Sequence, residues 1–376
     1  MKKILIVFGT RPEAIKMAPV VHALKAHPDF ETRVCVTAQH REMLDQVLSL
    51  FQIAPDYDLD LMTAGQSLAD ISSRVLQGIT GVLAQWKPDL VLVHGDTTTT
   101  AMTALACFYQ RIPVGHVEAG LRTGNMWSPW PEEFNRRLAG VVTRLHFAPT
   151  QQARTNLLAE KIPAEWIEVT GNTVIDALLH VSERIDRDKD LQAQFQQKFS
   201  FLDDRKRILL VTGHRRENFG DGMQSICRSL LALSKRDDLK IVYPVHRNPN
   251  VSGPVKEHLA GQPGIHLLAP QDYLSFVYLM KRCSVLLTDS GGIQEEAPAL
   301  GKPVLVMRDT TERPEAVAAG IVRLVGTDAA NIEREVAHLL DDRQAYLRMS
   351  TSMNPYGDGT AAQQICSSVE RYLALA

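Results

Sequence analysis

Ser290, Gly291 and Gly292 form a turn whose residue types suit the binding of an anion. The apolar run at residues 284–287 predicts a buried strand before this turn, and the residues after it predict a helix. Free backbone N–H groups at such a turn point to one spot, where the helix dipole adds partial positive charge. Glu296 lies one helical turn further on, within reach of the hydroxyls of a ribose attached to that anion. The predicted ligand is a nucleotide diphosphate, although short glycine turns also occur in proteins that bind no nucleotide.

Three acidic residues follow predicted elements in the first half of the chain. Asp96 comes directly after an apolar strand pattern, Glu118 ends the next one, and Glu132 follows Pro131 at the start of a predicted helix, with the proline in its first turn. Ligands of parallel α/β sheets bind beyond the C-terminal ends of the strands, so we expect these acids to converge on a binding site. An acid at a helix N-terminus also stabilises the helix dipole, and each acid taken alone fits that role as well.

Basic residues follow other predicted strands. Arg11 and Lys16 come after the first strand, His214 stands beside two arginines after the first strand of the second half, and Arg313 lies near a later turn. The planar guanidinium group matches phosphate oxygens, and a histidine among arginines suits a phosphate site. Each basic residue taken alone is equally consistent with an ordinary protein surface. The acids therefore come from one half, and the groups that suit a nucleotide come mostly from the other.

Composition excludes several classes of protein. The chain has 376 residues, of which 45% are hydrophobic and 22% charged, and its formal net charge is −2. The chain has no basic block, which argues against nucleic acid as its main partner. No apolar run approaches the roughly 20 residues that are needed to span a membrane. None of the 12 histidines forms a metal-binding pair, and the 5 cysteines show no paired spacing. We expect a cytoplasmic protein with free thiols.

Strand and helix patterns alternate along the chain, which predicts an α/β protein with parallel sheets. We expect two Rossmann-like, doubly wound domains that face each other across a cleft. Residues 1–172 form the first domain and carry the acids, residues 173–357 form the second, and a C-terminal helix at about 358–376 packs back on the first. The polar stretch at residues 184–207 separates the two series of strands. The predicted strands are residues 3–8, 33–37, 89–94, 114–118, 144–148, 167–170, 207–212, 240–245, 265–268, 284–288, 303–307 and 321–324.

Eight segments together closely resemble the bacterial non-hydrolysing UDP-N-acetylglucosamine 2-epimerases. The resemblance runs from end to end and departs from the family pattern at Phe134, where a small residue usually follows the paired glutamates. The segments are residues 9–17 (GTRPEAIKM), 37–42 (TAQHRE), 94–100 (HGDTTTT), 115–123 (GHVEAGLRT), 212–218 (TGHRREN), 288–298 (TDSGGIQEEAP), 310–315 (TTERPE) and 354–359 (NPYGDG).

The resemblance implies a glycosyltransferase-B-like architecture, a homodimer, and interconversion of UDP-N-acetylglucosamine and UDP-N-acetylmannosamine without a metal or a nicotinamide. It implies that the catalytic residues are Asp96, Glu118, Glu132 and His214. The implied substrate-binding residues, which hold UDP or the sugar, are Arg11, Lys16, Asp96, Glu118, His214, Gln271, Phe276, Ser290, Gly291, Gly292, Glu296 and Arg313.

The resemblance also implies regulation, because bacterial members bind a second UDP-N-acetylglucosamine as an activator beside the active site. Gln39, Arg215 and His246 match the positions implicated there. The product would supply precursors of surface polysaccharides.

Chemistry explains why such a site combines cations and carboxylates. The C2–H bond of the sugar is not next to a carbonyl group, so we expect the anomeric C–O bond to break with or before proton removal. Elimination then gives 2-acetamidoglucal and UDP, and reprotonation on the opposite face with return of UDP inverts C2. Cations stabilise the departing diphosphate, and carboxylates stabilise C1 and move protons on two faces.

Three other functions remain open on the sequence alone. A hydrolysing 2-epimerase would use much the same residues and release UDP and free N-acetylmannosamine. A glycosyltransferase of the glycosyltransferase-B type would need an acceptor pocket, which the acids of the first half do not favour. A non-catalytic nucleotide-sugar sensor is disfavoured because all three candidate acids are present.

Overall fold

The structure is a computed structural model that describes residues 1–38, 41–61, 63, 65–203 and 205–375. It contains two compact units. Unit 1 comprises Met1–Ala177 together with Tyr356–Ala376, and unit 2 comprises Leu178–Pro355. Each unit has its own parallel sheet and its own hydrophobic core, and each is described by itself.

The sheet of unit 1 has the strand order β3-β2-β1-β4-β5-β6-β7 within the described residues, and all neighbouring strands are parallel. The central strands β1 and β4 are buried on both faces, which explains why they are continuous apolar runs instead of alternating ones. The strands are β1 (Lys2–Phe8), β2 (Phe30–Val36), β3 (Tyr57–Asp58), β4 (Leu90–His94), β5 (Val114–Val117), β6 (Leu145–Ala148) and β7 (Ile167–Val169).

Helices cover this sheet, and the last helix of the chain returns to it. The final helix packs against the first one, and the backbone N–H of Ala362 donates a 2.8 Å hydrogen bond to Oδ1 of Asp176. The helices of unit 1 are α1 (Arg11–Lys25), α2 (Arg41–Leu50), α3 (Leu68–Trp86), α4 (Thr98–Tyr109), α5 (Glu132–Val142), α6 (Gln151–Ala159), α7 (Thr173–Arg187), which runs past the end of unit 1, and α16 (Ala361–Leu375).

The sheet of unit 2 has the order β10-β9-β8-β11-β12-β13, again with parallel neighbours. Its strands are β8 (Arg207–Thr212), β9 (Leu239–Pro244), β10 (Ile265–Leu268), β11 (Val285–Thr288), β12 (Val304–Val306) and β13 (Val322–Leu324). Its α-helices are α8 (Lys189–Lys198), α9 (Asp221–Leu233), α10 (Pro249–Leu259), α11 (Tyr273–Arg282), α12 (Gly291–Ala299), α13 (Pro314–Ala318), α14 (Ala329–Asp341) and α15 (Arg343–Ser350).

The prediction of an α/β fold with two parallel, doubly wound sheets is confirmed. Three details differ from the sequence prediction. The two-residue strand β3 was missed, because a strand of that length has no readable periodicity. Pro131 caps α5 instead of standing in its first turn, and α12 already begins at Gly291. In the described residues no helix is long and apolar enough to cross a membrane.

Candidate functional site

The predicted site residues follow the strands at which each sheet reverses its order. In unit 1 the reversal lies between β1 and β4, and in unit 2 it lies between β8 and β11. A crevice forms at such a point because the helices after the two strands pass to opposite faces of the sheet. Arg11 and Asp96 follow the first pair of strands, and His214 and Ser290 follow the second pair. Both units therefore present candidate groups where an α/β sheet binds ligands.

Glu118 follows β5 with a left-handed backbone, at a φ of 61°. Such a conformation is uncommon for a residue with a side chain, and strained residues of this kind cluster at functional sites. Its Oε2 atom pairs with the ammonium group of Lys16 and accepts a 2.8 Å hydrogen bond from the side chain of Asn172. Nε2 of His94 lies 3.9 Å from the same oxygen. Lys16, which the sequence assigned to phosphate, thus lies against a candidate catalytic acid.

Two buried histidines lie near Glu118. Burial lowers the pKa of His94 and of His116 to about 4, so both rings are neutral at neutral pH. Nε2 of His116 is 2.7 Å from the carbonyl oxygen of Gly95, and an N–H at this position donates to it. The neutral ring of His94 shields Glu118 from water without adding a second positive charge beside Lys16.

Asp96 is held by helix α5. Nη2 of Arg136 lies 2.5 Å from Oδ2 of Asp96, and the side-chain N–H of Asn135 donates a 2.9 Å hydrogen bond to the backbone oxygen of Asp96. Nη1 of Arg136 lies 3.2 Å from Oε2 of Glu133, which is fully buried. The sequence prediction missed Arg136, Asn135 and Glu133 as site residues. The available signal was an acid followed by arginines three and four residues later, a spacing that places them on one helix face.

Glu133 remains charged although it is buried. Burial would raise its pKa, but a hydrogen bond from the backbone N–H of Thr123 at 3.1 Å and the guanidinium groups of Arg136 and Arg137 lower the pKa overall. Arg137 contacts Glu133 at 3.3 Å. Glu133 is therefore a fixed anion. It holds two arginines of α5 beside the loop that follows β5.

Glu13 is a second buried acid that the sequence prediction missed. Its carboxylate accepts hydrogen bonds from the backbone N–H groups of Gly9 and Thr10, at 3.0 and 2.8 Å, and from the hydroxyl of Thr97 at 2.7 Å. Burial raises its pKa, against the opposing effect of these donors. Glu13 joins the turn after β1 to the turn after β4. It therefore fixes the backbone on both sides of the place where the strand order reverses.

Glu132 begins α5, as predicted, and is half-buried. Its Oε2 atom is buried and has no hydrogen-bond partner among the residues that the structure describes. Phe134, the departure from the family pattern, leaves 48% of its surface exposed. The bulky ring therefore stands partly outside the core.

In unit 2 a buried aspartate organises the turns after β8 and β11. Asp289 accepts hydrogen bonds from the backbone N–H groups of His214 and Arg215, each at 2.9 Å, and from the side chain of Asn218 at 3.2 Å. Nδ1 of His214 lies 3.3 Å from Oδ1 of Asp289. Burial lowers the pKa of His214 although the aspartate opposes this shift. The His214 ring also stacks on His246, with 5.6 Å between ring centres.

The predicted anion turn is the N-terminus of α12. Ser290 caps this nine-residue helix without a side-chain cap hydrogen bond, and Gly291 and Gly292 are its first two residues. Later in α12, Oε1 of Glu296 accepts a 2.8 Å hydrogen bond from the hydroxyl of Tyr273. The N-terminus of α12 suits a phosphate group, and Glu296, held by Tyr273, lies further along the same helix. This sequence of groups matches a diphosphate that is followed by a ribose.

Further predicted residues of unit 2 lie on neighbouring elements. The guanidinium group of Arg313 pairs with the buried carboxylate of Glu295. Nε2 of Gln271 donates a 2.6 Å hydrogen bond to the carbonyl oxygen of Ala269, and Phe276 is half-buried on α11. The structure thus brings His214, Arg215 and His246 together, as well as Lys16, Asp96 and Glu118 at neighbouring strand ends of unit 1. Gln39 lies outside the described residues.

Comparison with known proteins gives one consistent family. Residues 22–370 match the family model for UDP-N-acetylglucosamine 2-epimerase. The UDP-N-acetylglucosamine 2-epimerase of Salmonella typhimurium is 60% identical over 371 residues, which cover 98% of this chain and 99% of that protein. The Escherichia coli K12 enzyme of the same name is 58% identical over 369 residues, 98% of each chain.

Solved structures agree with the sequence relatives. The crystal structure of UDP-GlcNAc 2-epimerase from Neisseria meningitidis bound to UDP-GlcNAc has a TM-score of 0.90 and 53% identity, and the match covers 98% of this chain and 100% of that one. The enzyme from Methanocaldococcus jannaschii in complex with UDP-GlcNAc and UDP has a TM-score of 0.79 and 32% identity, with both chains fully covered.

The buried histidines predict an acid-sensitive unit 1. His94, His116 and the equally buried His146 have pKa values lowered to about 4, 4 and 3, whereas an unfolded histidine binds a proton near pH 6.5. Between these values the unfolded state binds more protons than the folded state. The contribution of each histidine to the free energy of unfolding is therefore complete above pH 6.5 and falls by about 1.4 kcal/mol per pH unit below it.

Substitution His146→Leu should reduce this pH dependence by about one-third, since it removes one of three similar groups. All four tryptophans (Trp86, Trp127, Trp130 and Trp166) lie in unit 1, so urea unfolding followed by tryptophan fluorescence at pH 7.5, 6 and 5 reports on that unit. His258→Leu, in unit 2, is the matched control and should leave the slope unchanged. An equal slope in wild type and His146→Leu would contradict the assignment.

Proposed function

This chain belongs to the UDP-N-acetylglucosamine 2-epimerase family, and we propose that it interconverts UDP-N-acetylglucosamine and UDP-N-acetylmannosamine without net release of UDP. The relatives solved with UDP-GlcNAc and with UDP support the extension of both ligands to this chain. We place the reaction in the cytoplasm and assign its product to the assembly of surface polysaccharides. The homodimer implied by the family resemblance stays a prediction.

One observation carries the proposal. Two carboxylates, Asp96 and Glu118, stand at the ends of the adjacent strands β4 and β5, and each faces a cation, Arg136 or Lys16. Ionised groups held in fixed positions with little water act on developing charge far more strongly than groups in solution. This arrangement suits a reaction in which positive charge grows on a sugar ring while a proton leaves the neighbouring carbon.

The proposed reaction is an elimination followed by its reversal on the other face. A base takes the C2 proton, the C2–H electron pair becomes the C1=C2 double bond, and the electron pair of the anomeric C–O bond leaves with UDP. The products of this half are 2-acetamidoglucal and UDP. Delivery of a proton to the opposite face of C2 and return of the UDP oxygen to C1 give the epimer. The site must lower the barrier by on the order of 10 kcal/mol or more.

We assign the sugar ring to the acids of unit 1. Asp96, Glu118 and Glu132 share stabilisation of C1 and transfer of the C2 proton. The partial burial of Glu118 and Glu132 supports this role, because it limits the access of water. Water near the intermediate would promote its hydrolysis or compete with the acids for proton transfer. Lys16 pairs with Glu118, so we propose that this cation both fixes the acid and favours the departing diphosphate.

We assign the UDP moiety mainly to unit 2. The N-terminus of α12, at Ser290 to Gly292, binds phosphate through backbone N–H groups, and Glu296 binds the ribose hydroxyls. His214 and Arg313 add hydrogen-bond donors and positive charge to the diphosphate, together with Arg11 of unit 1. Gln271 and Phe276 complete the contacts to the nucleotide. His214 is held by Asp289, which supports a fixed role for its ring in the departure of UDP.

Two other activities use overlapping residues. A hydrolysing 2-epimerase would release UDP and free N-acetylmannosamine, and a glycosyltransferase would pass the sugar to an acceptor. The paired acids at Asp96 and Glu118 favour chemistry on the sugar ring over transfer to an acceptor. Reaction products separate all three possibilities.

Incubation of the pure protein with UDP-N-acetylglucosamine in D₂O, followed by NMR, tests the proposal. We expect UDP-N-acetylmannosamine with deuterium at C2 and little free UDP, because the C2 proton exchanges with solvent while UDP stays bound. Stoichiometric UDP with free N-acetylmannosamine would establish the hydrolysing reaction instead. An unchanged substrate would contradict both and favour a transferase or a sensor.

Tyr273 should contribute to UDP binding through Glu296. Replacement Tyr273→Phe removes the hydroxyl that donates to Glu296, and a hydrogen bond to a charged group contributes about 1.5–3 kcal/mol. We expect the dissociation constant for UDP, measured by calorimetry, to rise by up to about tenfold, because part of this free energy is already present before UDP binds. Tyr278→Phe is the matched control, because Tyr278 is buried on the same helix and its hydroxyl accepts from Arg282. Equal affinities in the two variants would argue against the ribose site.

We also propose that a second UDP-N-acetylglucosamine activates the enzyme at Arg215 and His246, with Gln39. The stacking of His246 on His214, and the hydrogen bond from Arg215 to the same aspartate as His214, support a link to the active site. The reverse reaction, measured without added UDP-N-acetylglucosamine, should show a lag or a sigmoidal rate curve. A hyperbolic curve would contradict this proposal.

A further inference from the structure

We infer that Arg136 is a positioning residue for catalysis, which orients the carboxylate of Asp96 so that one of its oxygens faces the substrate. This inference rests on the proposed function, in which Asp96 acts on the sugar. It adds a residue outside the predicted catalytic set, and it assigns a purpose to the buried Glu133.

Two contacts from α5 fix Asp96. Nη2 of Arg136 lies 2.5 Å from Oδ2, a short charge-assisted hydrogen bond. The side chain of Asn135 holds the backbone oxygen of Asp96 at 2.9 Å. The carboxylate and its backbone therefore cannot turn independently of α5. Oδ1 accepts no hydrogen bond from the part of the chain that the structure describes, which leaves this oxygen for the sugar.

Arg136 is itself held in place. Its second terminal nitrogen, Nη1, lies 3.2 Å from Oε2 of Glu133, and Glu133 is fixed by the backbone N–H of Thr123 at 3.1 Å. The Arg136 side chain is only 13% exposed, so water screens these contacts weakly. A continuous series of contacts thus runs from the backbone at Thr123 through Glu133 and Arg136 to Asp96.

The same contacts argue against direct substrate binding by Arg136. Both terminal nitrogens of the guanidinium group are occupied by carboxylates, one from Glu133 and one from Asp96. The two acids balance the positive charge of Arg136, and only 13% of its side chain is exposed, so direct binding of a phosphate is disfavoured. The geometry therefore points to an action through Asp96, whose displacement by about 1 Å would be enough to slow the reaction by about 100-fold.

Arg137 is a matched control on the same helix. It is the neighbouring residue, has the same side chain and contacts the same Glu133 at 3.3 Å. Among the described residues, Arg137 forms an ion pair with Glu133 and none with Asp96. A general effect of losing an arginine from α5, or of weakening Glu133, would appear in both variants.

The experiment is a double-mutant cycle on epimerisation with UDP affinity as a second readout. Arg136→Met should lower kcat by about 100-fold and change the dissociation constant for UDP by less than threefold, because Asp96 loses its orientation while the nucleotide contacts remain. Arg136→Lys should recover part of kcat. Arg137→Met should stay within a few-fold of wild type.

Asp96→Asn supplies the other side of the cycle. If Arg136 acts through Asp96, the double variant Arg136→Met/Asp96→Asn should react less than threefold more slowly than Asp96→Asn alone. The rate of slow variants is measured as the entry of deuterium at C2 at high enzyme concentration. If Asp96→Asn shows no detectable reaction, Asp96→Glu takes its place. Thermal unfolding checks each variant, and Arg136→Lys takes the place of Arg136→Met if the latter does not fold.

An undiminished 100-fold loss in the Asp96 background would overturn the inference, since Arg136 would then act independently of Asp96. Near-wild-type turnover of Arg136→Met, or an equal loss in Arg137→Met, would overturn it as well. Failure of the wild-type protein to epimerise UDP-N-acetylglucosamine would be a different result, because it would remove the proposed function itself.

Discussion

A buried charge must be paired, and this constraint shapes the strand ends of unit 1. Removing a carboxylate from water costs several kcal/mol unless cations or hydrogen-bond donors replace the lost solvent. Glu13 meets this condition with backbone N–H groups and hydroxyls, Glu118 with Lys16 and Asn172, and Glu133 with two arginines. Glu13 and Glu118 take partners from other elements, and Glu133 also accepts from the backbone N–H of Thr123 after β5, so each acid ties a strand end to a helix. The same contacts that make burial tolerable hold the acids in fixed orientations.

Unit 2 meets the constraint differently. Asp289 is fully buried, and most of its partners are donors from the single turn after β8, including two backbone N–H groups. That turn carries His214, so the buried aspartate sets the position of a candidate catalytic ring. The N-terminus of α12 begins at the next residue, where Ser290 supplies no side-chain cap. An anion can meet the backbone donors there, which is the role that the proposed function gives to the diphosphate of UDP.

The sequence predicted the sheets, and it also selected the candidate site residues, because both depend on local patterns. Apolar runs marked the strands, and the rule that ligands bind beyond strand ends selected Asp96, Glu118, His214 and Ser290. It missed Arg136, because an arginine on an amphipathic helix has no local sign of the residue it contacts forty positions away. The spacing of Thr10 and Glu13 marks a helix capping box, but the contact of Glu13 with Thr97, 84 positions away, has no local sign. The left-handed backbone of Glu118 was also invisible, since only glycine, asparagine and aspartate commonly signal positive φ.

The central claim is that the anomeric C–O bond breaks and re-forms while UDP stays bound. A direct measurement uses UDP-N-acetylglucosamine with ¹⁸O in the oxygen that bridges C1 and the β-phosphorus, followed by ³¹P NMR. Once that bond breaks, rotation of the β-phosphate makes the label equivalent to its non-bridging oxygens. The account predicts ¹⁸O in non-bridging positions of recovered substrate and of UDP-N-acetylmannosamine. Formation of the epimer with all ¹⁸O still in the bridge would contradict it.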